Sequence, residues 1–255
     1  MADFRGDIYN SNGRLQVSTN MVGMFCRRTG TGTTQSRLGG NTSPSSIVVE
    51  TAGCTFPIIA IKVDNHAAAF AGKVQSSTLN HWACSAPVGT QFTYYTFDWS
   101  TNLPNAGGIE RRYDAGGRCT FNSEFFPMQI TRIFNGVGET MPTNGRTYAV
   151  AQGEIGGHSR RGEAYCYDTG APQLDPASGL GLCNDIRYRN DGKLYGGGFR
   201  PGDGTVGMYQ VSWDDVLASA GNYNNYTTND PRGWEVPCTV LAVDVTNIPV
   251  NASFF

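Results

Sequence analysis

Residues 9–18 read YNSNGRLQVS and residues 113–122 read YDAGGRCTFN, so one short pattern occurs twice in the chain. The residues in register, 104 positions apart (113 − 9 = 104), are Tyr9, Gly13 and Arg14 in the first copy and Tyr113, Gly117 and Arg118 in the second. A more distant copy, YRNDGKLYGG, begins at Tyr188. Their central dipeptides, Asn12-Gly13, Gly116-Gly117 and Asp191-Gly192, favour the positive φ angles of a type I′ turn. The pattern therefore predicts a β-hairpin at each copy.

The sequence around these hairpins is also typical of a β protein. Charged residues make up only 16% of the chain, and glycine occurs 33 times. This composition suits many strands joined by tight turns, with a further turn at Asn144-Gly145. Apolar and aromatic runs predict strands at residues 47–50, 56–63, 91–99, 128–134, 147–152, 206–213 and 239–246. We therefore expect an all-β fold of β-sandwich or barrel-like domains, with many hairpins and very little helix.

One short segment has the start and stop residues of a helix. Ser212 can cap the N-terminus, and Asp214 and Asp215 would lie in the first turn, where negative charge is favourable. Gly221 follows, as glycine often does after a helix. The sequence therefore predicts a helix of about two turns over Ser212–Ala220.

Two polar stretches suggest how the chain is divided. Residues 29–46, TGTGTTQSRLGGNTSPSS, contain almost no apolar side chains and predict a polar arm. Residues 101–108, TNLPNAGG, lie just before the second copy of the hairpin pattern. We expect an N-terminal β domain at residues 1–108, which carries the arm, and a C-terminal β domain at residues 109–255.

Charge, hydropathy and cysteine usage argue against several classes of protein. The net charge is −2 and there is no long basic run, so we expect no nucleic-acid partner. No stretch approaches the roughly 20 apolar residues of a membrane helix, and no basic and then apolar leader opens the sequence. The seven cysteines have no CxxC spacing. They are therefore expected to be free thiols.

The sequence predicts no catalytic residues, no cofactor site and no metal site. An acid–base pair for glycan hydrolysis would have to come from the carboxylates Glu154, Glu163, Asp168, Asp214, Asp215 and Glu235. Glu154 lies near His158 and two arginines, but a solvated turn with local ion pairs explains that cluster better. Tyr223, Asn224, Asn225 and Tyr226 form a Tyr- and Asn-rich loop of the kind used in recognition. They are the candidate receptor or glycan contacts.

Two blocks resemble a known family. Residues 5–20, RGDIYNSNGRLQVSTN, and residues 54–63, CTFPIIAIKV, are similar to small β-rich tail-tip and tail-fibre proteins of siphophages and prophages. The resemblance implies a structural virion protein of a tailed bacteriophage, located in the tail and made in the host bacterial cytoplasm. It would contribute to tail assembly and to host-receptor attachment, and it would not be an enzyme.

Two alternatives stay open beside this hypothesis: a capsid decoration or other virion protein, and a glycan-degrading tail-spike enzyme. The expected partners are other phage tail proteins, further copies of the chain, with a trimer as one form, and a host cell-surface receptor. Arg27, Arg28, Phe254 and Phe255 are the candidate subunit contacts, because arginine and aromatic residues are enriched at protein interfaces.

Overall fold

The computed structural model describes residues 7–9, 15–18, 23–36, 43–73, 78–99, 103–104, 108–114, 116–154, 157–166, 173–174, 181–182, 186–219, 233–236 and 238–255. The first ten strands are β1 (Asp7–Tyr9), β2 (Leu15–Ser18), β3 (Met24–Thr33), β4 (Ser45–Glu50), β5 (Ile58–Lys62), β6 (His66–Lys73), β7 (Leu79–Cys84), β8 (Gln91–Trp99), β9 (Arg111–Tyr113) and β10 (Cys119–Asn122). The next ten are β11 (Gln129–Phe134), β12 (Thr140–Pro142), β13 (Tyr148–Glu154), β14 (Gly157–Cys166), β15 (Gln173–Leu174), β16 (Gly181–Leu182), β17 (Ile186–Arg200), β18 (Thr205–Ser219), β19 (Gly233–Val236) and β20 (Thr239–Asp244).

The strands form a β-sandwich, which confirms the predicted fold class. One layer is a six-stranded sheet with the order β11-β20-β13-β5-β8-β3. The facing layer is made of two sheets, β4-β7-β6 and β12-β18-β17-β14-β19. Within the described residues, the helical content is one 3₁₀ turn at Pro201–Asp203. All seven strands predicted from apolar runs are present, with ends shifted by a few residues.

The sandwich is built from two units of the same topology. In the first unit, β3-β8-β5 faces β4-β7-β6 around a core that includes Ile47, Ile61 and Trp82. In the second unit, β11-β20-β13 faces β12-β18-β17 around a core that includes Phe134 and Val206. Apart from the added strands β14–β16 and β19, the strands follow one another along the chain in the same order in both units. The chain therefore contains an internal duplication of a six-stranded unit.

The duplication extends to a β-bulge. In β3, Cys26 lies opposite Phe97 and Arg28 lies opposite Thr96, so Arg27 is the extra residue. In β11, Ile130 lies opposite Val243 and Arg132 lies opposite Ala242, so Thr131 is the extra residue. Equivalent residues of the edge strands β3 and β11 are 104 positions apart, which is the spacing of the hairpin repeat. Equivalent residues of their partner strands, β8 and β20, are 146 positions apart (243 − 97 = 146). A bulge changes the local twist and aim of a strand, and the two units share it at the same position.

The two hairpins of the repeated pattern are also equivalent. β1 and β2 pair as Asp7↔Ser18 and Tyr9↔Leu15, and β9 and β10 pair as Arg111↔Asn122 and Tyr113↔Cys119. In the second hairpin Gly117 has φ +76°, and the Asp114 carboxylate accepts hydrogen bonds from the Gly116 and Arg118 amides. The predicted hairpin is therefore confirmed there, but the predicted type I′ turn is wrong, because Gly117 has positive φ whereas Gly116 does not, and the Gly117 amide donates its hydrogen bond to the Asp114 carbonyl. Asn12-Gly13 lies outside the described residues, between two strands that pair as the repeat predicts.

Two predictions of local structure are wrong. Asp191-Gly192 is not a hairpin tip, because both residues lie inside β17 and pair with Asp215 and Asp214 of β18. The helix over Ser212–Ala220 is also absent, since β18 continues as a strand to Ser219. An isolated two-turn helix is marginal in water. The long ladder with β17 hydrogen-bonds the same backbone over its whole length. The turn at Asn144-Gly145 is confirmed, with φ values of 49° and 77°.

The predicted polar arm is in part a strand, because β3 runs through its first five residues. Gly30 lies opposite Tyr94 and Gly32 lies opposite Phe92 on the neighbouring strand β8. A Cβ at either glycine would lie within 2.7 Å of the aromatic ring, so the rings occupy the space above the glycines. Aromatic cover of this kind allows glycine inside a strand. Residues 37–42 of the arm lie outside the described residues.

Strands from both sides of the predicted domain boundary share the six-stranded sheet. The units meet where Ala60 and Ile61 of β5 pair with Ala151 and Val150 of β13. The sheet also curls, so that residues 126–128, which lead into β11, hydrogen-bond with Met24 and Cys26 at the start of β3. The two units therefore contact each other in two places, at the β5–β13 pair and where residues 126–128 pair with β3. The sheet does not close into a barrel.

Candidate functional site

An aromatic groove is a prominent concave feature of the described part of the first unit. It has a volume of about 790 Å³ and lies between the six-stranded sheet and strands β6 and β7. Its walls include Phe56, Pro57, Ile58, Phe70, Trp82 and Trp99, and none of its lining side chains is charged. The volume is within the range of small-molecule sites, and the lining favours an uncharged ligand.

A buried carboxylate organises the mouth of this groove. Asp98, at the end of β8, is 1% exposed and accepts hydrogen bonds from the backbone amides of Thr55 (2.9 Å), Phe56 (2.8 Å) and Trp99 (2.9 Å). The Arg27 guanidinium lies 3.6 Å from the same carboxylate. Because hydrogen bonds to a charged acceptor are strong, Asp98 fixes the loop before β5 against the end of β8.

The aromatic rings of the groove are arranged as two edge-to-face pairs. Phe56 and Trp99 have ring centroids 5.3 Å apart at an interplanar angle of 81°. Phe70 and Trp82 form the second pair, also at 5.3 Å, with an angle of 67°. Trp82 is buried, whereas Phe56 is 59% exposed and Trp99 is 42% exposed. The first pair therefore presents a large apolar surface to solvent, and a bound ligand would cover it.

Two amide side chains supply the polar part of the lining. The Asn80 amide donates hydrogen bonds to Thr51 Oγ1 (2.9 Å) and to the Thr78 carbonyl (3.1 Å). The Gln152 carbonyl oxygen accepts a 3.4 Å hydrogen bond from the Phe70 amide, and its amide nitrogen lies 3.0 Å from Cys238 Sγ. These groups do not titrate near neutral pH, so the groove offers surface and orientation for binding.

The candidate subunit contacts are placed on the chain itself. Residues 251–255, which we call the closing segment, run beside the outer edge of β3. Phe254 packs edge-to-face on Phe126 (5.3 Å) and Phe255 on Phe125 (5.5 Å). Arg27 lies over the Phe255 ring at 5.3 Å. Arg28 donates a hydrogen bond to the Glu50 carbonyl. All four residues therefore contribute to intramolecular packing, and their role between subunits stays a prediction.

The other predicted site residues cannot be located in the same way. Tyr223, Asn224, Asn225 and Tyr226 lie outside the described residues. So do the side chains of the carboxylates proposed for glycan hydrolysis. Phe56 and Trp99 were not predicted as site residues, although both lie within the runs 56–63 and 91–99 that were predicted as strands. Their clustering depends on Asp98, which joins segments more than 40 residues apart.

The described cysteines agree with the free-thiol prediction. Cys26, Cys54, Cys84, Cys119 and Cys238 are free, and burial raises the pKa of the Cys26 thiol to about 12. A thiol with such a pKa is unreactive at neutral pH. Within the described ranges, no group of three or more His, Cys, Asp or Glu residues is placed to hold a metal ion.

Comparison with known proteins found no matching family model, no matching curated protein and no matching solved structure. In the part of the chain that the structure describes, no helix is both long and apolar enough to cross a membrane.

Proposed function

We propose that the chain is a structural subunit of a tailed bacteriophage virion, located at the tail tip or tail fibre. Residues 5–20, which resemble the opening of such tail proteins, include the first hairpin of the duplicated unit. Other tail proteins and further copies of the chain are the proposed assembly partners. The protein has no catalytic role in this proposal.

The exposed Phe56–Trp99 pair, held by buried Asp98, is the observation that supports a role in recognition. A ring pair whose backbone is fixed in advance loses little conformational freedom on binding. Sugar rings present C–H faces that stack on aromatic side chains, and an uncharged lining suits a neutral glycan. The groove is therefore the proposed contact with a host-surface glycan.

The location of the chain in particles tests the structural part of this proposal. Particles released from the bacterial strain that carries the gene would be purified and labelled with an antibody raised against the recombinant protein. We expect label at the distal end of the tail by electron microscopy. Label over the head would instead indicate a capsid decoration protein, and particles without label would overturn a virion role.

An array of neutral bacterial oligosaccharides tests the glycan contact. Trp99→Ala should weaken binding by roughly tenfold or more, because a central aromatic contact is often worth over 1.4 kcal/mol. Ile109→Ala is the matched control, since Ile109 is a fully exposed apolar residue away from the groove. Absence of binding by the unmodified protein would reject the glycan contact. Release of shortened oligosaccharides would favour the tail-spike enzyme.

A further inference from the structure

The outer edge of β3 is covered by an extended segment of the chain. The Thr29 amide donates to the Ala252 carbonyl, and the Phe254 amide donates to the Arg27 carbonyl, both at 2.8 Å. The Thr29 hydroxyl accepts a hydrogen bond from the Ala252 amide (3.0 Å) and donates one to the Pro249 carbonyl (2.8 Å). Thr29 is 5% exposed as a result. The closing segment therefore adds to β3 as a short antiparallel strand.

The duplication identifies the same edge on the second unit. Arg27 and Thr29 of β3 correspond to Thr131 and Ile133 of β11 at the repeat spacing of 104 residues. By this equivalence, the Thr131 carbonyl and the Ile133 amide point away from β20. Ile133 is 50% exposed and Ile130 is 48% exposed. Within the described residues, the pairing partner of β11 is β20 alone, so its outer edge is open.

We propose that the outer edge of β11 is a docking site for an extended segment of a neighbouring protein subunit, which it binds by antiparallel strand addition. The occupant has the chemistry of the closing segment, Asn251–Phe255: uncharged, short and ending in aromatic residues. Open edges readily accept such strands, because their amides and carbonyls already point outward. Exposed Ile130 and Ile133 add apolar surface that the added strand would cover.

The side chain at the central position makes this site weaker than the one on β3. Ile133 lacks the hydroxyl with which Thr29 makes two hydrogen bonds to the closing segment. One hydrogen bond contributes only about 0.5–1.5 kcal/mol net, which corresponds to roughly a 2- to 13-fold change in affinity. The edge of β11 is therefore suited to reversible capture of a segment from another subunit.

A synthetic peptide of residues 248–255, IPVNASFF, tests the proposal on the full-length protein. We expect saturable binding at one site, with slower amide hydrogen exchange at residues 130–134. Ile133→Pro removes the amide donor at an edge position where proline is tolerated, and it should abolish binding. Ile133→Val keeps the amide and is the matched control. Ile133→Thr restores the hydroxyl and should tighten binding roughly fivefold.

Four results would overturn the proposal. The peptide could fail to bind at millimolar concentration, or its binding could be unchanged by Ile133→Pro. Protection could appear at residues 27–29, which would mean that the peptide displaces the closing segment from β3. A concentration-dependent dimer that Ile133→Pro abolishes would show that β11 pairs with a second β11. If Ile133→Pro does not fold, the affinity of Ile133→Thr for the peptide tests the proposal. An affinity equal to that of the unmodified protein contradicts the predicted geometry.

Discussion

Matching strands of the two units carry an aspartate at the same register position, and this residue has different partners in each unit. Asp98 is the residue before the last one of β8 and Asp244 is the last residue of β20, at the spacing of 146 residues that relates these strands. Asp98 accepts backbone amides from the loop before β5. Asp244 instead pairs with the Arg146 side chain just before β13 and accepts hydrogen bonds from Thr246.

This difference shows how one scaffold position can serve two kinds of surface. When the carboxylate binds backbone amides, the side chains of the loop are free to face outward, and Phe56 and Trp99 do so. Both carboxylates have an arginine partner, but Arg146 beside Asp244 is 61% exposed whereas Arg27 beside Asp98 is 29% exposed, so the local surface at Asp244 is polar. The aromatic groove is therefore an elaboration of the first unit on a framework that both units share.

The largest expected effect separates these two aspartates. Asp98→Ala leaves three backbone amides without their charged acceptor and should lower the free energy of unfolding by about 3 kcal/mol. Asp244→Ala removes an ion pair whose arginine is mostly exposed, so we expect a loss of about 1 kcal/mol. Urea unfolding of both variants measures the difference. Equal losses would contradict the distinction between the two units.

Removal of the closing segment tests the covered edge of β3. Deletion of residues 251–255 exposes Thr29 and removes the half-buried rings of Phe254 and Phe255. It should lower the free energy of unfolding by about 2 kcal/mol, because each phenylalanine buries only part of its surface. Thermal unfolding and light scattering of the truncated protein provide the measurement. Unchanged stability together with lost oligomers would instead place the segment between subunits.

Equivalent cross-strand pairs at the two sheet edges carry their larger side chain on opposite strands. Gly30 lies opposite Tyr94 in the first unit, and Phe134 lies opposite Val240 at the matching place in the second. Gly30→Ala should destabilise the protein by about 1–3 kcal/mol, because the Tyr94 ring occupies the space of the added methyl. Thr31→Ala, at the neighbouring exposed position, is the control and should change stability by less than about 0.5 kcal/mol.

The smallest expected effect is the pH dependence that Asp244 contributes. Burial by itself raises the pKa of Asp244, but hydrogen bonds from Thr246 and Arg146 outweigh it and hold the pKa below the usual 3.8. The folded-state pKa is therefore lower than the unfolded one. The resulting stability is present above pH 3.8 and is lost as the pH falls through the folded-state value. In Asp244→Ala, the loss of stability at acid pH should be smaller by this contribution. A pH dependence of unfolding identical to that of the unmodified protein would contradict the prediction.

The sequence predicted what local chemistry controls. Apolar and aromatic runs predicted the strands, and the glycines of the second repeat copy predicted its hairpin, because the positive φ that Gly117 adopts is a local property of glycine. The helix over Ser212–Ala220 failed because its capping residues compete with a ladder to β17 that no local pattern reveals. The groove was not predicted because Phe56 and Trp99 are brought together by the hydrogen bonds of Asp98, which join segments far apart in the sequence.

The full extent of the repeat was also present in the sequence. Residues 98–106 read DWSTNLPNA, and residues 244–252 read DVTNIPVNA. A one-residue shift within this segment hides the similarity from a search at a fixed spacing. The loops differ in length while the strands keep their register, so each strand of the unit has its own spacing.

The cover on β3 has a consequence for synthesis on the ribosome. Thr29 and Ala252 are 223 positions apart. At 5–20 residues per second, the edge of β3 waits roughly 11–45 s before its covering strand exists. During that interval an uncovered strand edge is a site for unwanted association between nascent chains. Arg27 and Arg28, in the middle of β3, place positive charge on this edge, where repulsion between copies would oppose pairing until residues 252–254 emerge.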